Sequence, residues 1–218
     1  MAQAAMVHVV DDDEMVRASS QWLLEGHGYR VETWPDAESF LLSAEQRSPG
    51  VILLDLRMPG MGGMALLESH ADALRLPVVV VTAHGDIPLA VRAVQAGALT
   101  MLEKPVRTDA LLRTVDEALE ESRRRMMGDA EREELIEQLE TLTPREREIL
   151  VLLAHGHRNK TVGEMVDISH RTVAVHRQRI LNKTASDTVT DLVHRISRHG
   201  LLERYAMEAS SLPSAEAH

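Results

Sequence analysis

Five short apolar runs punctuate the first half of the chain: MVHVV (6–10), YRVETW (29–34), VILLD (51–55), PVVVVT (77–82) and ALTML (98–102). Amphipathic stretches of helical length separate them, EMVRASSQWLLEGHG and GMALLESHADAL among them. Strand, helix and strand repeated in this way leave little choice but a parallel sheet wrapped by helices. The runs are continuous rather than alternating, which suits strands buried on both faces. Five strands and five helices are expected by about residue 127. In an open sheet of this kind, ligands bind beyond the carboxyl ends of the strands, where the strand order reverses.

Those ends carry an unusual set of side chains. The first run ends in Asp11 and Asp12, the third in Asp55 and the fourth in Thr82. The fifth leads into Lys104 and Pro105. Each has an ordinary explanation. Asp13 and Glu14 favour the positive N-terminus of the first helix, and Asp11 and Asp12 could do the same. Asp55 before LRMPG could form a turn, Thr82 could continue its strand, and Lys104 could be a surface charge. Caps and turns do not readily explain all five on one rim. A hard divalent cation, Mg²⁺ or Mn²⁺, relieves the crowding, because it takes oxygen ligands from one or two carboxylates, a phosphate and waters. Asp12 and Asp55 are expected to bind it directly and Asp11 through water. Asp55, its charge offset by the ion and Lys104, could then attack a phosphoryl group and hold it as an aspartyl phosphate.

The second half differs in charge. Residues 1–128 hold 19 acids and 12 bases, whereas residues 144–200 hold 6 acids and 10 bases. No acid occurs from Ile168 to Ser186, although the whole chain carries −10. An acidic first half joined to a basic second half points to two functions and to a polyanionic partner for the second. Cysteine is absent, which excludes disulfides, Cys-ligated zinc and thiol nucleophiles. The N-terminus lacks the pattern of a signal peptide. No apolar run approaches the roughly 18 residues of a membrane span, so a cytoplasmic location without membrane contact is expected.

Between the halves, ESRRRMMGDAEREELIEQLE is highly charged, yet Leu135, Leu139 and Leu142 fall at i, i+4 and i+7. That stripe suits either a short dimer seam or a linker helix resting on a domain. TLTPREREIL then offers Thr143 as N-cap, Pro144 at the first helical position and Glu146 three residues after the cap, a capping box. Helical patterns follow at about 159–166, 170–184 and 188–199. A short helix, a turn at DIS and a basic helix opened by Ser169 make a helix-turn-helix. On the basic helix, Val173 and Ile180 are spaced for burial, while Arg171, Ala174, Val175 and Gln178 share an outward face. Small apolar side chains there can touch thymine methyls, and Gln can read adenine. Arg177, Arg179 and Lys183 are candidates for flanking phosphates, as are Asn159 and Lys160 at the start of the preceding helix. The competing reading is a solvated cationic helix. Six histidines between 155 and 199 show no metal-binding spacing.

These motifs carry two resemblances. Asp11-Asp12, Asp55 within LLDLRMPGMGG, Thr82 within VVVVTAHGD, and LEKP resemble the receiver domain of two-component response regulators; TAHGDIPLAVRAVQAGA resembles its FixJ-type subfamily. The likeness covers roughly residues 5–125. LTPREREIL, NKTVGEMVDIS, RTVAVHRQRILNK and DTVTDLVHRI resemble the LuxR-type helix-turn-helix domain, from about Leu142 to His199. The first implies a flavodoxin-like sheet of order 2-1-3-4-5, phosphorylation of Asp55 by a sensor histidine kinase, and the Arg57 backbone carbonyl as a further metal ligand. It implies that Thr82 and Lys104 engage the phosphate and that the Lys104–Pro105 bond is cis. The second implies four helices, base-reading positions at Ala174, Val175 and Gln178, contacts from Thr172 and the neighbouring basic residues, and a structural or phosphate-facing His176. Together they imply a dimer on double-stranded DNA, with RNA polymerase as a partner.

The expected domains are a receiver at 1–125, a charged linker at 126–141, a DNA-binding domain at 142–204 and a disordered tail at 205–218. Three departures stand out. Met101 replaces the usual aromatic switch residue and Val106 a frequent Phe, which implies looser coupling of phosphate to the outer face. Gly163 replaces the usual Ala, at about 1 kcal/mol of helix propensity, which implies a softer second domain. Two rival readings remain: a phosphatase using Asp55, which the family's general-acid position disfavours because it holds Arg57, and a constitutive DNA-binding dimer.

Overall fold

The computed structural model describes residues 5–43, 49–70, 74–83 and 86–201. The tail expected at 205–218 lies outside the described residues. Two compact units divide the chain, Met1–Met127 and Gly128–His218.

The first unit contains a parallel sheet of β1 (Met6–Val10), β2 (Arg30–Trp34), β3 (Gly50–Leu54), β4 (Val78–Thr82) and β5 (Thr100–Glu103). Its order is β2-β1-β3-β4-β5, the doubly wound order expected. Helices α1 (Glu14–Gly26), α2 (Ala37–Ser43), α3 (Gly63–His70), α4 (Ile87–Gln95) and α5 (Thr108–Glu140) connect and follow the strands. The central β3 is buried along its whole length, as its uninterrupted apolar run requires. The sheet separates two apolar clusters, one built on Val10, Ile52, Leu54 and Phe40, the other on Val7, Val9, Leu53 and Val115. Successive residues of one strand point to opposite faces, so β1 feeds both clusters.

One polar side chain shares the first of these faces. His8 is fully buried in β1, and its ring lies 5.6 Å from that of Phe40 and 6.3 Å from that of Trp34. The Trp34 indole N–H donates to His8 Nδ1 at 3.3 Å, which puts the ring proton on Nε2. Nε2 is buried and has no partner among the described residues.

The second unit is helical: the end of α5, then α6 (Pro144–Ala154), α7 (Asn159–Met165), α8 (His170–Lys183) and α9 (Val189–Arg198). Leu135 and Leu139 are 0% exposed and Leu142 is 3% exposed, within the same core as Ile149, Ile180 and Leu192. The leucine stripe therefore packs into this domain and offers no free seam. Leu192 and Ile196 of α9 lie in that core too, so its apolar stripe is turned inward on its own domain.

Candidate functional site: an acidic pocket and a basic helix-turn-helix

The sheet topology brings the predicted residues together because β1 and β3 are neighbours and both end on the same rim. Asp11 and Asp55 follow the last residues of β1 and β3, and the Asp55 amide donates to the Val10 carbonyl at 2.9 Å. Asp13 caps α1, its carboxylate accepting from the amides of Met15 and Val16, so the crowded acids divide their work. Carboxylate oxygens of Asp11, Asp12 and Asp55 all lie within 4.8 Å of one another. Asp11 and Asp55 are buried and Asp12 is exposed, so the trio has a dry floor and an open mouth. A hard cation fits this donor set of oxygens alone.

The ammonium of Lys104 reaches into the same place. It donates to Asp11 Oδ2 at 2.6 Å and to Asp55 Oδ2 at 2.8 Å. Burial pulls the ammonium down, but the two carboxylates outweigh it and hold its pKa above the ordinary value. Lys104 is placed by β5 and by its own amide, which donates to the Thr82 carbonyl at 2.9 Å, and the Lys104–Pro105 bond is cis. Thr82, at the end of β4, is fully buried, and its hydroxyl has no partner among the described residues. A buried hydroxyl without a partner is costly unless a ligand completes it. Met101 is half-buried in β5 opposite Val80 and packs on the sheet face that carries Ile52 and Leu54. The Arg57 amide donates to Asp55 Oδ1 at 3.1 Å, which ties the loop after β3 to the acid it follows.

Two supporting residues escaped the sequence reading. The Arg17 guanidinium donates to the Asp11 carbonyl at 2.6 Å, bracing the turn that carries the acids. Glu38 on α2 accepts from the Met61 amide at 2.9 Å and so holds the loop after Asp55. Glu38 and Met61 are far apart in the chain, so no local spacing could reveal the pair. For Arg17 the only signal is its place one turn into α1.

In the second unit, α6 opens with the predicted capping box, Thr143 and Glu146 each bonding the other's backbone. Asp167 takes the left-handed conformation at φ 53 and turns the chain from α7 into α8, whose cap is Ser169. Asp tolerates that region better than most residues. Arg145 of α6 donates to the Val166 carbonyl and secures this turn. Gly163 corrects an expectation. A Cβ there would stand 2.6 Å from the Ile168 carbonyl oxygen, so glycine lets α7 close tightly on the turn. The expected softness does not follow, because the propensity cost accompanies a contact that no other residue permits.

Val173 and Ile180 are fully buried, while Arg171, Thr172, Ala174, Val175, Arg177, Gln178 and Arg179 are exposed. Lys160 is exposed and Asn159 half-buried at the start of α7, and His176 is half-buried with Nδ1 sealed and unpartnered among the described residues. The Thr172 hydroxyl pairs with that of Ser169 at 2.8 Å.

Lys183 also departs from expectation. Its ammonium donates to Glu146 at 2.7 Å and to the Thr141 carbonyl at 2.9 Å, so its first role is internal, pinning α8 to α6. Burial pushes the Glu146 carboxyl up, but the Lys183 and Thr143 donors outweigh it and hold it below the ordinary value. Lys183→Met would leave the 3%-exposed Glu146 charge unpaired. Stripping a buried pair of one partner typically costs about 3–5 kcal/mol, reduced here to about 2 kcal/mol because solvent screens the ammonium. Urea unfolding followed by far-UV circular dichroism should show the helical second transition at lower urea. An unmoved midpoint would mean that the pair contributes nothing.

Comparison with known proteins decides the family. Residues 7–116 match the response regulator receiver domain, and residues 140–196 match the bacterial regulatory proteins of the luxR family. The chain belongs to the response regulators with a luxR-type DNA-binding domain. It is 34% identical to the transcriptional regulatory protein FixJ of Bradyrhizobium diazoefficiens, over 93% of this chain and 99% of that one. It is 38% identical to the tetrathionate response regulatory protein TtrR of Salmonella typhimurium, over 89% of this chain and 93% of that one. The solved structure of the response regulator StyR superposes with a TM-score of 0.76 at 37% identity, covering 90% of this chain and all of StyR. Full-length FixJ from B. japonicum superposes at 0.52 with 33% identity, covering 90% of this chain and 98% of FixJ. A receiver joined to a DNA-binding domain implies a kinase and DNA as partners of this response regulator. Receiver domains in general bind Mg²⁺, and the acidic trio suits it. Among the described residues no helix is long and apolar enough to cross a membrane.

Proposed function

We propose that Asp55 accepts a phosphoryl group from a sensor histidine kinase, that the receiver then self-associates, and that the paired output domains bind a two-fold-related DNA site and activate transcription with RNA polymerase. The observation that carries this reading is the Lys104 ammonium held between Asp11 and Asp55, beside a buried Thr82 hydroxyl that lacks a partner.

In this reading the Asp55 carboxylate forms a bond to phosphorus as the bond from phosphorus to the kinase imidazole breaks. The new acyl phosphate brings further negative charge into a site that already holds the half-buried Lys104 ammonium. Lys104 shifts from the free carboxylate to a phosphoryl oxygen, and the Thr82 hydroxyl turns to donate to another. Asp11, Asp12, Asp55 and the Arg57 carbonyl would hold Mg²⁺, which would offset negative charge during the transfer. Thr82 pairs with Glu103 across β4 and β5, two residues from Met101, so movement of Thr82 frees space beneath Met101. Repacking there reaches the outer face at 87–103, where α4 exposes Ile87 by 81%, Val91 by 51% and Val94 by 53%. Three apolar side chains at i, i+4 and i+7 form a stripe that self-association would cover. Dimerisation then sets the spacing of two DNA half-sites. At each, Ala174, Val175 and Gln178 read bases, while Lys160, Arg171, Arg177 and Arg179 hold phosphates.

The test is incubation with Mg²⁺ and a small phosphodonor, with Asp55→Ala as control, following incorporated phosphate and molecular mass together. Phosphate on the wild type alone with a shift to dimer mass is the expected result. Absence of phosphate would overturn the reading, and phosphate without a change in mass would favour a constitutive DNA-binding dimer.

A further inference from the structure

On the exposed face of α8, the Gln178 side-chain amide donates from Nε2 to Asn182 Oδ1 at 2.9 Å, one helical turn on. Both residues are exposed, and both lie in the stretch that the proposed function turns toward the major groove. We infer that Asn182 is a positioning residue for DNA reading: it locks the carboxamide of Gln178 in the orientation that selects adenine. The inference rests on the DNA-binding reading above and names the base it prefers.

A carboxamide carries one acceptor oxygen and two N–H donors. The bond to Asn182 occupies one N–H and fixes rotation about the last side-chain torsion, which is otherwise broad and roughly two-fold. The oxygen and the second N–H remain free, side by side. Adenine presents a donor at N6 and an acceptor at N7 in the major groove, the complement of that pair. Guanine presents two acceptors, O6 and N7, so the fixed oxygen would meet another oxygen. A free Gln could rotate and offer an N–H alone to guanine, and the bond to Asn182 removes that option. Neighbouring Val175 and Ala174 offer methyl groups suited to thymine, so the same face favours A·T pairs throughout. The pair also fixes the side chain before binding, and less rotamer entropy is then lost on contact.

The test uses the full-length, phosphodonor-treated protein and a pool of random-sequence duplexes, from which bound sequences are recovered and counted. Wild type is expected to prefer adenine at one position per half-site by about tenfold or more. Gln178→Ala should abolish that preference at that position alone. Asn182→Ala should reduce it to about threefold or less, while the slope of log Kd against log salt stays that of the wild type, because no phosphate contact is lost. Asn182→Asp keeps an acceptor oxygen for Gln178. It should restore the adenine preference even though its charge weakens binding to every sequence. Retention of the full preference in Asn182→Ala, or selection of another base at the position that Gln178→Ala affects, overturns the inference while leaving DNA binding intact. Failure of wild type to enrich any duplex overturns the DNA-binding reading itself, and the inference with it.

Discussion

Gly63→Ala should all but abolish phosphoryl uptake at Asp55 and destabilise the receiver by about 3 kcal/mol. Gly63 opens α3, and its amide donates to the Leu56 carbonyl at 3.1 Å. A Cβ at this position would overlap the backbone oxygen of Asp55 and stand 3.0 Å from the Leu54 side chain. Neither neighbour can yield cheaply: one is backbone at the end of a fully buried strand, the other lies in the core. Interiors packed to crystal density turn an added methyl into backbone displacement. The displaced residue is the proposed phosphoacceptor, and a shift of about 1 Å in a reacting group costs on the order of a hundredfold in rate. Gly26→Ala is the matched control, because a Cβ there meets nothing within 4 Å. Trp22 and Trp34 are the only tryptophans and both belong to the receiver, so fluorescence in urea reports this domain alone. Equal midpoints for the two variants, with normal phosphate uptake by Gly63→Ala, would refute the overlap.

The receiver is also expected to lose roughly 3 kcal/mol of stability as pH falls from about 6.5 to about 4, through His8 alone. Burial lowers the His8 pKa to about 4 from 6.5. The folded protein therefore keeps the ring neutral where the unfolded chain takes up a proton. Because the unfolded state binds more protons in that window, stability falls with falling pH through it and is at full strength above 6.5. The Glu32 carboxylate, 3.5 Å from Nδ1, is the only acid in an ion-pair contact with His8 among the described residues. Half in solvent, it favours the charged ring too weakly to offset burial. The measurement is urea unfolding by tryptophan fluorescence at several pH values for wild type and His8→Phe. The wild-type slope should exceed that of the variant between pH 4 and 6.5, and identical slopes would rule out His8 as the source.

Much of this site was legible because its chemistry is tied to strand ends. Parallel strands deliver their last residues to one rim, so Asp11, Asp55, Thr82 and Lys104 could be assembled from the order of the runs alone. The capping box at Thr143 and the cap at Ser169 were equally visible, since each involves residues three apart. Lys183 misled because its composition-level role, a cation on a basic helix, says nothing of a buried acid 37 residues earlier. Gly163 misled for a related reason. Propensity concerns a helix by itself, whereas the glycine answers to a carbonyl on the following turn. Glu38 and Arg17 act on backbone groups, which every residue has, so neither could be paired by residue type. The leucine stripe left two readings open because its periodicity shows an apolar face without saying what covers it.

That stripe sets where the chain can be divided. The luxR-family match begins at residue 140, after Leu135 and Leu139 have passed. A fragment started there would lack two fully buried leucines from its own core, each worth on the order of 2 kcal/mol of burial. A fragment started at Gly128 keeps them, together with the Glu131 carboxylate that receives Arg198 at 2.5 Å. The hereditary unit of DNA recognition and the physical unit that folds are thus different lengths of chain. Any recombination that exchanged output domains at the shorter boundary would hand the new partner an unfinished core.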